Sequence, residues 1–428
     1  MRLLYVIHQF FPDCQSGTEQ YCLAVARAAR AAGCDVTVLS LHWDHDRDWP
    51  TIKLFEQPYD GFRVLRLNHW RRINANDVLR DYENRHLDGW FRGVLDDVRP
   101  DAVHFFHLRQ LGSNLIGVAK DFGARTVVNL MDFWFLCPRF TLLRGDGTLC
   151  EGPPDGGRGC VACHHPELQG HAAMASAPTL TSDPPARLRA LLDRPAVQLR
   201  ALATADAVVA PSHFLAAMFA KNGFPRERIT VVPYGLADHR LVPIPTPRPR
   251  QPLRVAFCGV LSPWKAPHLV VEAVRQTQAN VTLRVHGNVN EPMFADYIAR
   301  LRSLAAGDPR ITLAGAYGEG EAAEVFADMD VLVVPSTWYE NTPFVVLEAF
   351  AAGVPVIASN LGGLCEVVRD GENGLLFAAG DALALRAAIE RLAADATLLA
   401  RLTPRPPHSI RRDYEHFAAL YKAASAST

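Results

Sequence analysis

Short runs of branched and aromatic residues alternate along the chain with segments in which apolar positions recur every three or four residues. The first run, RLLYVI at 2–7, is apolar throughout and too short for a helix, which predicts a strand buried on both faces. A polar loop, HQFFPDCQSGTEQ at 8–20, leads into a segment where Cys22, Val25, Ala26 and Ala29 share one helical face and Gly33 ends it. CDVTVLS at 34–40 is the next strand. Strand, loop, helix, strand is a βαβ unit, and it predicts a parallel sheet with helices on its faces. DAVHFFH (101–107), RTVVNLMD (125–132) and DAVVAPS (206–212) continue the alternation.

Two stretches interrupt it. Residues 137–180 are rich in Gly, Pro, Cys and His without periodicity and read as an insertion on the loop face. VPIPTPRPRQP at 242–252 holds five prolines in eleven residues, a stiff extended segment that no helix accepts. The alternation then restarts with LRVAFCG, VTLRVHG, ITLAG, DVLVVPS and PVIAS as strands and helical patterns between them. This predicts a first Rossmann-like domain over 1–240, a linker over 241–252, a second Rossmann-like domain over 253–405 and an amphipathic C-terminal helix within 406–428, placed to brace the first domain. Two doubly wound α/β domains of this kind would direct their strand C-termini, where ligands bind, toward one cleft.

Composition narrows the function. A chain of 428 residues is long enough for two domains, and a formal net charge of −1 with 49% hydrophobic residues argues against nucleic acid as a partner. Leu3–Ile7 is too short for a signal segment, and no window approaches the roughly 18–20 apolar residues of a spanning helix, so the expected location is the cytoplasm. Of nine cysteines, Cys137, Cys150, Cys160 and Cys163 crowd into the insertion, the last two as C-x-x-C beside His164 and His165. Three readings stand: a structural zinc, reduced thiols, or a disulfide.

The chemistry concentrates in STWYENTPFVVLEAFAAGVPVIAS at 336–359. Pro343 suits the first turn of a helix running to about Ala352, with Gly353 as its stop. Glu340 then lies in a loop, and Glu348 lies in the helix about 7–8 Å along from Pro343, so that both carboxylates address one elongated ligand. The amides at the helix start suit an anion such as a phosphate. The plainer reading makes Glu348 an exposed helix position and Glu340 a solvated loop residue.

Glu340, seven residues, Glu348, then AFAAGVPVIAS, GGLCEVV and DGENGLLF resemble the C-terminal signature of the retaining GT-B glycosyltransferases of family 4, the glycosyl transferases group 1. SGTEQ, APSHF, ITVVPYGL and FCGVLSPWK are similar to further words of that family, so the resemblance spans the chain. It implies an enzyme that moves a sugar from a UDP-, GDP- or ADP-sugar to an acceptor with retention and needs no metal for transfer. Glu348 would hold the donor ribose. Glu340, Asn341, Thr342, Pro343 and Phe344 would meet the donor sugar and phosphates. Gly259 belongs to the phosphate word, and Lys265 would neutralise the diphosphate leaving group, making Glu340 and Lys265 the catalytic pair. Gly17 would let the first helix approach the donor phosphates or the acceptor. The family habit points to a glycan or lipid-linked acceptor in cell-surface polysaccharide or lipopolysaccharide synthesis.

Two positions depart from the family. Val260 stands where an arginine usually completes the diphosphate clamp, and Met131 stands where a histidine usually precedes Asp132; a thioether cannot serve as that proton donor or acceptor. Asp132 reads equally as a turn residue or as part of the acceptor site. His104 and His107 read as core or loop histidines, or as acceptor-side groups. Trp70, Arg71 and Arg72 read as a solvated loop or as a peripheral contact with the inner membrane face or a polyprenyl-phosphate acceptor. Two other functions remain on the same fold: a non-catalytic subunit that binds sugar nucleotide or glycan, and an epimerase or phosphorylase.

Overall fold

The computed structural model describes residues 1–42, 52–68, 78–168, 184–241 and 251–423. Trp70, Arg71, Arg72, most of the proline-rich linker and the end of the cysteine-rich insertion lie outside the described residues. The chain divides into two compact units, Met1–Pro233 with Arg411–Thr428, and Tyr234–Ile410.

The first unit holds strands β1 (Arg2–Ile7), β2 (Asp35–Leu41), β3 (Lys53–Glu56), β4 (Arg63–Asn68), β5 (Ala102–Phe105), β6 (Arg125–Asn129), β7 (Ala207–Ala210) and β8 (Ile229–Val231). They form one sheet in the order β3-β4-β2-β1-β5-β6-β7-β8. Every pair is parallel except β3 against β4 at the edge. Runs such as RLLYVI are apolar on both faces because helices cover both: β1 and β2 are buried from their second residue onward. The C-terminal helix Ile410–Lys422 closes against this sheet through a buried polar contact. Tyr421 Oη lies 2.6 Å from His104 Nδ1, and the Tyr21 hydroxyl donates to Asp413 at 2.7 Å.

The second unit holds β9 (Leu253–Cys258), β10 (Val281–His286), β11 (Ile311–Gly315), β12 (Val331–Val334), β13 (Val356–Ser359) and β14 (Gly374–Phe377), all parallel, in the order β11-β10-β9-β12-β13-β14. This is the 3-2-1-4-5-6 order of a doubly wound sheet. Alternate residues of β9 feed two cores, as the pleat requires: Val255 and Phe257 join one, Ala256 and Cys258 the other. The helix Phe344–Ala351 supplies Val346, Ala349 and Phe350 to the second core.

The insertion is less irregular than its composition suggests. It contains a Leu143–Leu149 antiparallel bridge and a short helix, Arg158–His164. Among the described residues no helix is long and apolar enough to cross a membrane.

Candidate functional site

In the second unit the strand order reverses between β9 and β12, and their C-terminal ends open the crevice where such sheets place ligands. Two loops leave those ends, 259–265 and 335–343, and they are clipped together. Thr337 N–H donates to the Trp264 carbonyl at 2.8 Å. Lys265 Nζ donates to Glu340 Oε1 at 2.6 Å. Ser336 Oγ and Trp338 Nε1 donate to the same oxygen at 2.7 and 2.8 Å. Lys265 also sits 5.3 Å from the centroid of the Trp338 ring, within cation–π range. Glu340 is only 6% exposed, so its charge is matched by an ammonium and two neutral donors in place of water.

Glycines carry this loop. A Cβ on Gly363 would lie 1.7 Å from the Asn341 carbonyl oxygen, and the Gly363 amide donates to the Glu340 carbonyl at 2.7 Å. No side chain fits between those backbones. Gly259 is held at φ +153, and a Cβ on the neighbouring Gly287 would meet its carbonyl at 2.4 Å.

Thr342 Oγ1 returns to the Asn341 carbonyl at 2.9 Å, and Pro343 is the N-cap of the helix Phe344–Ala351. Gly353, at φ +74, follows its end. Val346, Leu347 and Phe350 are buried, and Glu348 between them is partly buried. Its side chain is 14% exposed, and its Oε1 lies 2.5 Å from Arg240 Nη1. Gly259, Lys265, Glu340, Asn341, Thr342, Pro343, Phe344 and Glu348 therefore all belong to two clipped loops and one helix of this unit. Val260, on the first of those loops, is 51% exposed.

Gly17 belongs to the first unit, where it opens the helix Gly17–Ala31. That helix start carries its own anion: Ser16 N–H donates to Glu19 Oε2 at 2.8 Å, and Glu19 is fully buried. A carboxylate there already answers the helix dipole that a phosphate would use.

The first sheet reverses its order between β1 and β5, and His8 and His107 follow those strands. Their rings lie 4.1 Å apart. The Arg109 amide donates to His107 Nδ1 at 3.2 Å, which leaves Nε2 as the protonated nitrogen, donating to Asp132 Oδ2 at 3.1 Å. Asp132 also accepts the Trp134 amide at 2.7 Å, so the turn role and the contact with His107 coexist in one carboxylate. Burial, then the neighbouring His107 and Arg109, hold the His8 imidazole well below its ordinary range. His104 is a core residue: it is fully buried, and Phe106, Phe417 and Tyr421 surround its ring. Met131 offers only its sulfur, 4.0 Å from Asn129 Nδ2.

The zinc expectation finds no support. Cys137, Cys150, Cys160 and Cys163 do line one pocket with His164, yet among the described residues no group of three or more His, Cys, Asp or Glu is placed to hold a metal ion. Burial pushes Cys160 up to about 12 and raises Cys137 as well. Cys150 spends its thiol on the Gly152 carbonyl at 3.0 Å. Cys137, Cys150, Cys160 and Cys163 form no disulfide.

Three participants escape a reading of the sequence. Ser336 and Trp338 lie in the loop of Glu340 but carry no periodic signal, and Arg240 lies beside the proline-rich stretch. His8 is a fourth such residue in the first unit.

A family model described as glycosyl transferase 4-like domain matches residues 16–235, and one described as glycosyl transferases group 1 matches residues 252–395. The chain is 33% identical over 183 residues to the D-inositol 3-phosphate glycosyltransferase of Stackebrandtia nassauensis, covering 40% of each chain. It is 28% identical over 224 residues to WcaL of Escherichia coli (strain K12), provisionally assigned to colanic acid biosynthesis, covering 49% of this chain and 53% of that protein. The matched stretches thus span about half or less of these curated relatives. In fold it is similar to Anabaena Alr3699/HepE, solved with UDP and glucose, at TM-score 0.66 and 16% identity, covering 99% of this chain and 100% of that one.

Proposed function

The chain belongs to the glycosyl transferases group 1 family and has its GT-B fold, and on that premise we propose that it is a nucleotide-sugar-dependent glycosyltransferase acting with retention. The observation that carries this reading is the convergence of Lys265, Ser336 and Trp338 on Glu340 at the point where the second sheet reverses, with Glu348 in the helix that follows.

In this reading Glu348 accepts the ribose hydroxyls, and the donor phosphates lie over Gly259 and the start of the helix after Pro343. Glu340, Asn341, Thr342, Pro343 and Phe344 surround the sugar end. An ammonium carries three N–H donors, so Lys265 can hold Glu340 and still meet the diphosphate. In the reaction the bond between the sugar's anomeric carbon and the diphosphate oxygen breaks. The acceptor oxygen bonds that carbon on the same face, and the acceptor's proton passes to the departing phosphate. What the protein supplies is charge neutralisation of the leaving group and orientation.

The acceptor belongs with the first unit, where His107 and Asp132 are joined, and we take it to be a glycan or a lipid-linked glycan of cell-surface polysaccharide synthesis. The relative assigned to colanic acid biosynthesis supports that class. UDP, bound by the Anabaena protein, is the first nucleotide to test. A peripheral contact with the inner membrane face through Trp70, Arg71 and Arg72 is part of the same proposal.

Exposed Val260 and the thioether of Met131 favour a second reading, a non-catalytic subunit that binds sugar nucleotide. Calorimetric titration with UDP, GDP and ADP, beside Glu348→Ala, tests the donor site. One nucleotide binding the native chain far more tightly than the variant supports it; equal binding to both refutes it. Release of nucleoside diphosphate from the matching nucleotide sugar, on adding acceptor, then separates enzyme from subunit.

A further inference from the structure

The segment that opens the second unit, Tyr234–Leu241, meets the helix Phe344–Ala351 twice. Tyr234 stacks on Phe344, with ring centroids 5.0 Å apart and planes 20° from parallel. Six residues on, Arg240 ends a short turn, Asp238–Arg240, and reaches Glu348 at 2.5 Å. Positions 344 and 348 are one turn apart and share a helix face, so the segment runs along that face.

Its backbone is fixed from the other side. The Leu236 amide donates to the His408 carbonyl at 3.0 Å, and the Ile410 amide donates to the Leu236 carbonyl at 2.8 Å. Ser409 Oγ bonds the Asp238 carboxylate. Arg240 therefore approaches Glu348 from an anchored turn. The pair is withdrawn from water as well, at 17% and 14% exposure, which distinguishes it from the exposed ion pairs that contribute little.

A carboxylate that accepts both hydroxyls of a cis-diol must present its two oxygens in a set plane, and a glutamate side chain gives up considerable rotamer freedom to do so. A guanidinium is planar, rigid and permanently charged, and its grip on one oxygen narrows the orientations open to the other. Resting on the reading that Glu348 meets the donor ribose, we propose that Arg240 is a positioning residue of the donor site: it fixes the Glu348 carboxylate and thereby gives the site its preference for a ribose over a deoxyribose. It acts through Glu348 and takes no part in the chemistry at Lys265 and Glu340.

The test is calorimetry on the full chain with native protein, Arg240→Ala, Arg240→Lys, Glu348→Ala and the Arg240→Ala/Glu348→Ala double variant. Each is titrated with UDP, GDP and ADP and with their 2′-deoxy counterparts, and thermal melts check folding. Arg240→Ala is expected to weaken the preferred ribonucleotide about tenfold, the scale of one hydrogen bond to a charged group. It should weaken the deoxy form much less, so that the ratio between them narrows. Arg240→Lys should recover part of the loss. In the Glu348→Ala background, Arg240→Ala should change nothing more, and in turnover the donor KM should rise far more than kcat falls.

Equal losses for the ribo and deoxy forms, or full additivity in the double variant, overturn the proposal and put Arg240 on the diphosphate or in the scaffold. Tighter binding without Arg240 also overturns it, making the arginine a competitor of the ribose. Undiminished binding by Glu348→Ala alone would instead defeat the donor-site reading, and the Arg240 proposal with it. The Arg240 variants and the Glu348 variant thus report the two failures separately.

Discussion

Lys265 and Glu340, 75 residues apart in sequence, form a 2.6 Å ion pair in which the carboxylate is 7% and the ammonium 23% exposed. Removing one partner of such a pair strands the other charge in a poorly solvated place. Glu340→Gln and Lys265→Met are each expected to lower kcat by about a hundredfold or more, the scale of losing a group that stabilises developing charge. The double variant should lose much less than the product of the two. Steady-state kinetics on all three, with melts to confirm folding, checks this; strictly multiplicative losses would mean that the pair does not act together.

Trp338 gives Glu340 a hydrogen bond through its indole nitrogen while its ring lies near Lys265. Trp338→Phe keeps an aromatic face and removes that donor. Since a hydrogen bond to a charged group contributes about 1.5–3 kcal/mol, kcat should fall roughly tenfold to a hundredfold. Trp338→Ala, which loses the ring too, should fall further, and a Phe variant with native kcat would refute the role.

Gly363 is a steric requirement. With its Cβ 1.7 Å from a carbonyl oxygen, Gly363→Ala must displace the loop of Glu340 and Asn341. Donor binding should be lost and thermal stability reduced. Gly89→Ala, in the helix Asp88–Val98 with open space around the new methyl, is the control; there an alanine is expected to be neutral or to add about 0.4–1 kcal/mol.

Burial pushes His104 down to about 3, far below the ordinary value of 6.5. The folded chain thus keeps it neutral between those values, while the unfolded chain takes up a proton. Stability from this group is full above about pH 6.5 and is lost as pH falls toward 3, with a slope approaching about 1.4 kcal/mol per unit. His8 and His164, also lowered, add to the same trend. Urea unfolding at pH 7.5 and 5 should show the loss, and His104→Phe should flatten it; an unchanged slope would exclude His104 as a contributor.

The cysteine pocket should hold no metal. Elemental analysis of protein purified without chelator is expected to find well under one zinc per chain, and EDTA should leave the melting temperature unchanged. Stoichiometric zinc would overturn that expectation.

The sequence made the alternating architecture legible because buried parallel strands need apolar residues on both faces, a demand visible in runs as short as RLLYVI and VLVV. The local stops were legible too: Pro343 before the helix and Gly353 after it follow from backbone chemistry that one or two residues settle. The positions of Glu340 and Glu348 could be read from a spacing that one loop and one helix fix between them.

What surrounds those two carboxylates could not be read in that way. Trp338 and Ser336 acquire their meaning only when the loops after β9 and β12 are laid side by side, and Arg240 only when an extended segment returns to a helix more than a hundred residues later. Four cysteines suggested a metal by their crowding, but coordination depends on where sulfurs point. The sequence by itself determined the alternation of strands and helices in both domains and the two acidic positions, because periodicity and turn chemistry are local, while the strands Lys53–Glu56, Arg63–Asn68, Ile229–Val231 and Gly374–Phe377 went unread. Only the tertiary structure decided which charge answers Glu340, which answers Glu348 and how the thiols stand, because such pairings arise between residues brought together by the sheet.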